Sequence, residues 1–97
     1  MKLLTKANRK SLPALGSTDG QGMEAIAQVK YFTPFGQWTW YATEFSPEDG
    51  IFFGLVIGFE RELGEFALAE LEGATGPGGI PLVERDRHFS PTKLSEL

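Results

Sequence analysis

Cysteine is absent from the 97 residues, and with it go disulfide staples, thiolate zinc sites and a cysteine nucleophile. Long hydrophobic runs are absent too. The longest, residues 51–59, is far short of the roughly 20 needed to cross a bilayer. The start of the chain carries Lys2 and Lys6 but lacks the apolar stretch of about 7 to 15 residues that a secretion signal needs. The expectation is a cytoplasmic protein of a reducing compartment, with no membrane association. Motifs for bond chemistry are also missing. The glycines of residues 16–22 precede no Lys-Ser/Thr pair, those of residues 76–79 enclose Pro77, and no serine stands in a nucleophile elbow. Adjacent Glu48 and Asp49 lack the alternating spacing of a calcium loop. No catalytic residue, metal or cofactor is therefore expected.

What is present fits one α+β domain spanning residues 1–97. Hydrophobic residues make up 41% and charged residues 23%, which is ordinary globular usage, and the eight Phe, two Trp and two Tyr give an aromatic core. The net charge of −4 conceals an asymmetry: the first ten residues hold Lys2, Lys6, Arg9 and Lys10 and no acid, and the remainder holds five bases against thirteen acids. Acidity peaks at Glu44, Glu48, Asp49, Glu60, Glu62, Glu65, Glu70 and Glu72, among which Arg61 is the single base. Such a field repels phosphates and favours a basic partner surface, whereas the plainer reading is a solvated face kept soluble by charge.

The order of elements follows from local signals. Thr5 caps a short helix that Pro13 stops, with Leu4 and Leu12 available for packing. From residue 25 to 33 the pattern has period two and predicts a strand with Ala27, Val29 and Tyr31 on one face. Residues 38–45 predict a second strand, with Trp38, Trp40, Ala42 and Glu44 on one face and Tyr41, Thr43 and Phe45 on the other. Rings on both faces predict a central position. Residues 46–50 (Ser-Pro-Glu-Asp-Gly) read as a hairpin turn. The third strand, residues 51–59, sets Ile51, Phe53, Leu55, Ile57 and Phe59 on an apolar face, and Gly54 and Gly58 leave room for large neighbours opposite. Residues 64–67 predict a short fourth strand, residues 68–74 a helical turn with Leu68 and Leu71 inward, residues 82–89 an edge strand, and residues 91–97 a closing turn or frayed end. Short connections predict an antiparallel β-meander of three to five strands with short flanking helices, the second strand paired to both neighbours.

Two residues invite a chemical reading. His88, the only histidine, lies two residues after Asp86, the spacing of a general-base pair, although such neighbours on a strand also pair as ordinary surface groups. Glu44 beside two tryptophans could be an acid of raised pKa, or a strand-end carboxylate that reaches solvent or an Arg such as Arg85. Alternating aromatics can stack on bases, but Thr, Ala and Glu stand between them where a nucleic-acid-binding sheet carries Lys and Arg, so the Trp pair reads as core packing and no nucleic-acid contact is expected.

The segments Met1-Lys2-Leu3-Leu4-Thr5-Lys6, Trp38-Thr39-Trp40-Tyr41-Ala42-Thr43-Glu44-Phe45, Asp49-Gly50-Ile51-Phe52-Phe53-Gly54-Leu55-Val56 and Glu84-Arg85-Asp86 together resemble a bacterial family known as a domain of unknown function. The resemblance spans nearly the whole chain. It implies cargo of plasmids, phages or conjugative elements, and the family is similar to anti-CRISPR proteins that inhibit the type II effector nuclease. Where the pattern often has a serine before the Leu-x-Glu-Leu turn, this chain has Ala67. The resemblance thus implies a non-enzymatic inhibitor of a nucleic-acid-binding nuclease, and the acidic stretch supplies the means of docking, through Glu48, Asp49, Glu60, Glu62, Glu65, Glu70 and Glu72. Its rival is an accessory or regulatory protein of a mobile element with another protein partner.

Overall fold

A computed structural model of the protein describes residues 2–97. Helix α1 spans Lys6–Ser11. Its first turn is closed reciprocally: the Asn8 N–H donates to the Thr5 hydroxyl and the Thr5 N–H to the Asn8 side-chain carbonyl, both at 3.1 Å. The strands follow as β1 (Ile26–Ala27), β2 (Val29–Phe32), β3 (Thr39–Ser46), β4 (Ile51–Ile57) and β5 (Arg61–Ala67). Helix α2 (Leu68–Gly73), β6 (Glu84–Arg85) and β7 (Thr92–Lys93) complete the order.

Five strands form one antiparallel sheet in the order β5-β4-β3-β2-β6, so β3 is central and paired to β2 and β4. That is the meander expected from the short turns. At the Ser46–Gly50 turn, Gly50 takes φ +66°, and its N–H donates to the Ser46 carbonyl at 2.8 Å. The fourth strand is longer than residues 64–67, and the expected edge strand of residues 82–89 shortens to the two residues of β6.

The sheet separates two apolar clusters. On one side, called here the Phe52 face, Leu3, Leu4, Leu12, Tyr31, Phe45, Phe52, Phe66 and Leu71 are buried, so the amino-terminal segment and α2 cover it. On the other, the Leu55 face, Ala25, Ala27, Leu55 and Leu94 are buried. Here β1 and β7 pair as a small second sheet, and the last residues pack inward, with Leu94 fully buried. Of the two expectations for residues 91–97 the closing turn holds and the frayed end does not, because Leu94 supplies the cover that Leu55 needs.

Two breaks in period correct the assignment of faces. The predicted strand of residues 25–33 is interrupted at Gln28, whose N–H turns to the Ala42 carbonyl at 2.8 Å. As a result Ala25 and Ala27 join the Leu55 cluster, and Val29 and Tyr31 the Phe52 cluster. In β3 the register passes from Ala42↔Gly54 to Glu44↔Phe53, which leaves Thr43 as a bulge. One extra residue exchanges the faces beyond it. Phe45 therefore lies with Trp40 and Ala42 on the Phe52 face, while Glu44 crosses to the Leu55 face, away from the tryptophans. The third strand also stops at Ile57, and Phe59, expected on its apolar face, stands 96% exposed in the β4–β5 turn.

Candidate functional site

The β2–β3 and β4–β5 turns rise from the same end of the sheet, because Phe32 pairs with Thr39, Thr39 with Ile57, and Ile57 with Arg61. Each turn carries an aromatic residue at its tip, Phe35 in the first and Phe59 in the second, both almost fully exposed. Between them lies Trp38. Its indole stacks on Trp40 at 5.9 Å between ring centres and meets Phe59 edge-to-face at 5.6 Å. The ring also lies flat against Gly58, where a Cβ would fall 2.4 Å from it, so the glycine makes the seat that the sequence predicts. The turn that presents Trp38 is fixed by Thr33, whose side-chain oxygen accepts from the Trp38 N–H at 3.1 Å and whose N–H donates to the Trp38 carbonyl at 3.0 Å.

Trp40 is half-buried and packs against the Phe52 cluster, whereas Trp38 is 38% exposed, so the core packing expected of the pair holds for Trp40 and not for Trp38. The physical reason is cover: Leu3, Leu4 and Leu12, which flank α1, and Leu71 of α2 pack with Phe45, Phe52 and Phe66, and the Trp38 end of the same face is left open. An open groove of about 280 Å³ runs there between Trp38, Phe59, Glu60 and Glu62 and continues along β5 to Glu65. Rings with carboxylates beside them suit a guanidinium, which stacks on an indole face while its N–H groups pair with a carboxylate.

All seven predicted docking carboxylates are exposed, but they do not form one patch. Glu60 and Glu62 belong to the aromatic end. Glu48 and Asp49 occupy the β3–β4 turn at the opposite end, where Asp49 and Ser46 bond side chain to side chain at 3.2 Å and α2 begins. Glu70 lies on α2 and accepts from the Ala67 N–H at 3.2 Å, the half of a capping box that needs no side-chain oxygen at residue 67. Glu72 shares that helix. Glu65 sits between the two ends but on the Leu55 face, paired across to Phe53. About five residues of β5 separate Glu62 from the opposite end, or roughly 17 Å at the rise of a strand.

The two residues with a possible chemical reading have other employment. Glu44 is buried, and its carboxylate accepts from the Gly16 N–H at 2.7 Å, the Thr18 N–H at 2.6 Å and the Thr18 hydroxyl. Burial pushes its pKa up, and the three donors, led by the Thr18 hydroxyl, outweigh that and hold it below the usual carboxylate value. Glu44 is a clamp that ties the glycine-rich loop to the sheet, not a strand-end acid reaching solvent or Arg85. At the other edge, Asp86 accepts from the backbone N–H of His88 at 2.9 Å and lies 3.6 Å from the Lys30 ammonium. These contacts build a turn and an ion pair; Asp86 meets the histidine through its backbone.

The family model described as "Protein of unknown function (DUF2958)" matches residues 3–96. The chain belongs to the DUF2958 family. No curated protein and no solved structure matches it. In this DUF2958 protein the quoted Trp-Thr-Trp-Tyr-Ala-Thr-Glu-Phe segment is the central strand with its bulge, so one run supplies the exposed Trp38, the half-buried Trp40 and the buried loop clamp Glu44. Sequence reasoning missed Phe35 and Phe59 as surface residues. The signal was their place at turn tips, in Pro34-Phe35-Gly36 and Gly58-Phe59-Glu60, where a side chain cannot reach the core. Among the described residues no helix is long and apolar enough to cross a membrane.

Proposed function

We propose that the protein is a non-enzymatic binder that docks its aromatic, acid-rimmed end on a basic protein surface, and that its partner is a type II CRISPR effector nuclease. The observation that carries the reading is the exposed Trp38–Phe59 pair flanked by Glu60 and Glu62. Tryptophan is over-represented among residues that dominate binding energy, and carboxylates at its rim select arginine-rich partners. A guided nuclease holds its heteroduplex in such a positively charged channel, and a domain with a net charge of −4 is drawn to it at long range. The nuclease itself, and a setting on mobile elements in a bacterial cytoplasm, rest on the similarity of the family to anti-CRISPR proteins that inhibit such a nuclease. The clamped state of Glu44 and the backbone contact between His88 and Asp86 support a binder rather than a catalyst.

The test is inhibition of guided DNA cleavage as a function of inhibitor-to-nuclease ratio. Wild type is expected to inhibit fully near equimolar ratio, with association slowed by salt because exposed charges are screened beyond about 8 Å at physiological ionic strength. Trp38→Ala, or Glu60→Lys with Glu62→Lys, should weaken inhibition about 30-fold or more. Glu48→Lys with Glu72→Lys, at the far end, should change it by less than about threefold, and His88→Ala not at all. Full inhibition far below equimolar ratio would mean turnover and overturn the binder. Absence of inhibition at any ratio would exclude this nuclease as the partner.

A further inference from the structure

Strand β5 is an outer strand of the sheet, and among the described residues nothing pairs with its free edge. An unpaired edge of seven residues offers backbone donors and acceptors to a second chain, and charged side chains are a common protection against this. β5 has three, Arg61, Glu62 and Glu65, and their order decides whether they protect. When two copies of a strand pair antiparallel about a two-fold axis, the faces of the sheet run on unbroken, so one residue meets its own copy and all other pairs are symmetric about it. Centring on Glu62 or Glu65 would set two carboxylates against each other. Centring on Gly64 would set Glu62 against the buried Phe66 and Glu65 against Leu63. Centring on Leu63 sets leucine against leucine, Arg61 against Glu65 twice, and Glu62 against Gly64 twice.

We infer that the protein pairs with a second copy of itself through β5, antiparallel and centred on Leu63, to give one continuous ten-stranded sheet. Each row within the strand, residues 61–65, is complementary, and Phe66 falls opposite Glu60, which lies beyond β5 in the β4–β5 turn. On the Leu55 face, Leu63 is 40% exposed and already pairs with Leu55, so the dimer closes an apolar row of four leucines. The guanidinium of Arg61 gives one donor to the Leu97 carbonyl and has four more with which to meet the partner's Glu65. On the Phe52 face, a Cβ at Gly64 would meet nothing within 4 Å, which leaves space for the partner's Glu62. Gly64 also lines the aromatic groove, so each copy adds a carboxylate to the groove of the other. This pairing does not depend on which protein the groove binds.

Sedimentation of the purified protein from about 1 µM to about 1 mM tests the pairing. The wild-type mass is expected to rise from 10.7 kDa towards twice that value. Arg61→Glu or Glu65→Arg alone puts like charges in two symmetric contacts and should raise the midpoint concentration about tenfold or more, and the double exchange should return it to within about threefold of wild type. Because the chain has no cysteine, position can be read directly. Oxidised Leu63→Cys should cross-link, since facing Cα atoms lie about 4.5 to 5.5 Å apart, within disulfide reach. Glu65→Cys should not, its copy being roughly 13 Å away along the strand. Far-ultraviolet circular dichroism confirms that each variant is folded. A monomer at about 1 mM, a double exchange that fails to restore the mass, or equal cross-linking at both positions would overturn the inference.

Discussion

Replacing Gly54 with alanine is expected to cost at least about 3 kcal/mol and to lower the melting temperature by about 12 to 24 °C. The cause is the bulge at Thr43, beside which the Tyr41 carbonyl lies over Gly54, so that a Cβ there would fall 1.8 Å from the Tyr41 oxygen. No rotamer relieves a clash with backbone, and the strands that would have to part are the central β3 and β4. The built-in comparison is Gly64, which faces Gly54 across the β4–β5 pair and has open space where its Cβ would stand. Its replacement by alanine should leave stability unchanged or raise it by about 0.4 to 1 kcal/mol, because the unfolded chain loses freedom and the folded one loses nothing. Urea unfolding followed by tryptophan fluorescence measures both. A Gly54→Ala loss below about 1 kcal/mol would show that the bulge can shift to make room.

The second large effect is expected at Glu44. Glu44→Gln should destabilise the domain by about 1.5 to 3 kcal/mol at pH 7, because a charged acceptor of three hydrogen bonds is replaced by an amide whose NH₂ opposes N–H donors. The pH dependence has a definite sign. The folded-state pKa of Glu44 is lowered, so its contribution is fully present above the unfolded value of about 4.3 and is lost as pH falls through the folded value. The gap between wild type and Glu44→Gln should therefore be constant from neutral pH to about pH 5 and close on further acidification. A gap that widens towards low pH, or none at pH 7, would contradict the clamp. The amides of Gly16 and Thr18 should also exchange faster in the variant, since they lose their acceptor.

The meander was legible because each of its signals is local: Pro47 and Gly50 mark one turn, Thr33, Pro34 and Gly36 the other, and β-branched and aromatic residues fill the runs between them. The bulge was not legible. Trp-Thr-Trp-Tyr-Ala-Thr-Glu-Phe carries large residues in both phases, so alternation reads equally well with or without an inserted residue, and only the fit of Phe45 against Phe52, ring centres 4.6 Å apart, selects the shifted phase. That one shift moved Glu44 from a pairing with tryptophan to a grip on a loop 26 residues before it. The split of the acidic residues into two ends was hidden for a related reason. Counting charge along the chain ignores that β5 carries Glu62 and Ala67 to opposite ends of the sheet. Phe59 was assigned inward because the apolar alternation of β4 runs on for one step after the strand itself has ended.

The pairing of β1 with β7 has a consequence for how the chain assembles. Strands β2 to β5 join neighbours a few residues apart, so most of the sheet forms at small cost in loop closure. Ile26 and Lys93 meet across about 65 residues of chain, and for two pairs only. That seam gains least and waits longest. It should zip last during folding and open first in the native state, carrying Leu94 away from Leu55 while β3, β4 and β5 stay shut. The molecule would then work as a stable slab with a latch at one side, and hydrogen exchange should show Leu94, whose N–H donates to the Ala25 carbonyl, opening well before Leu55.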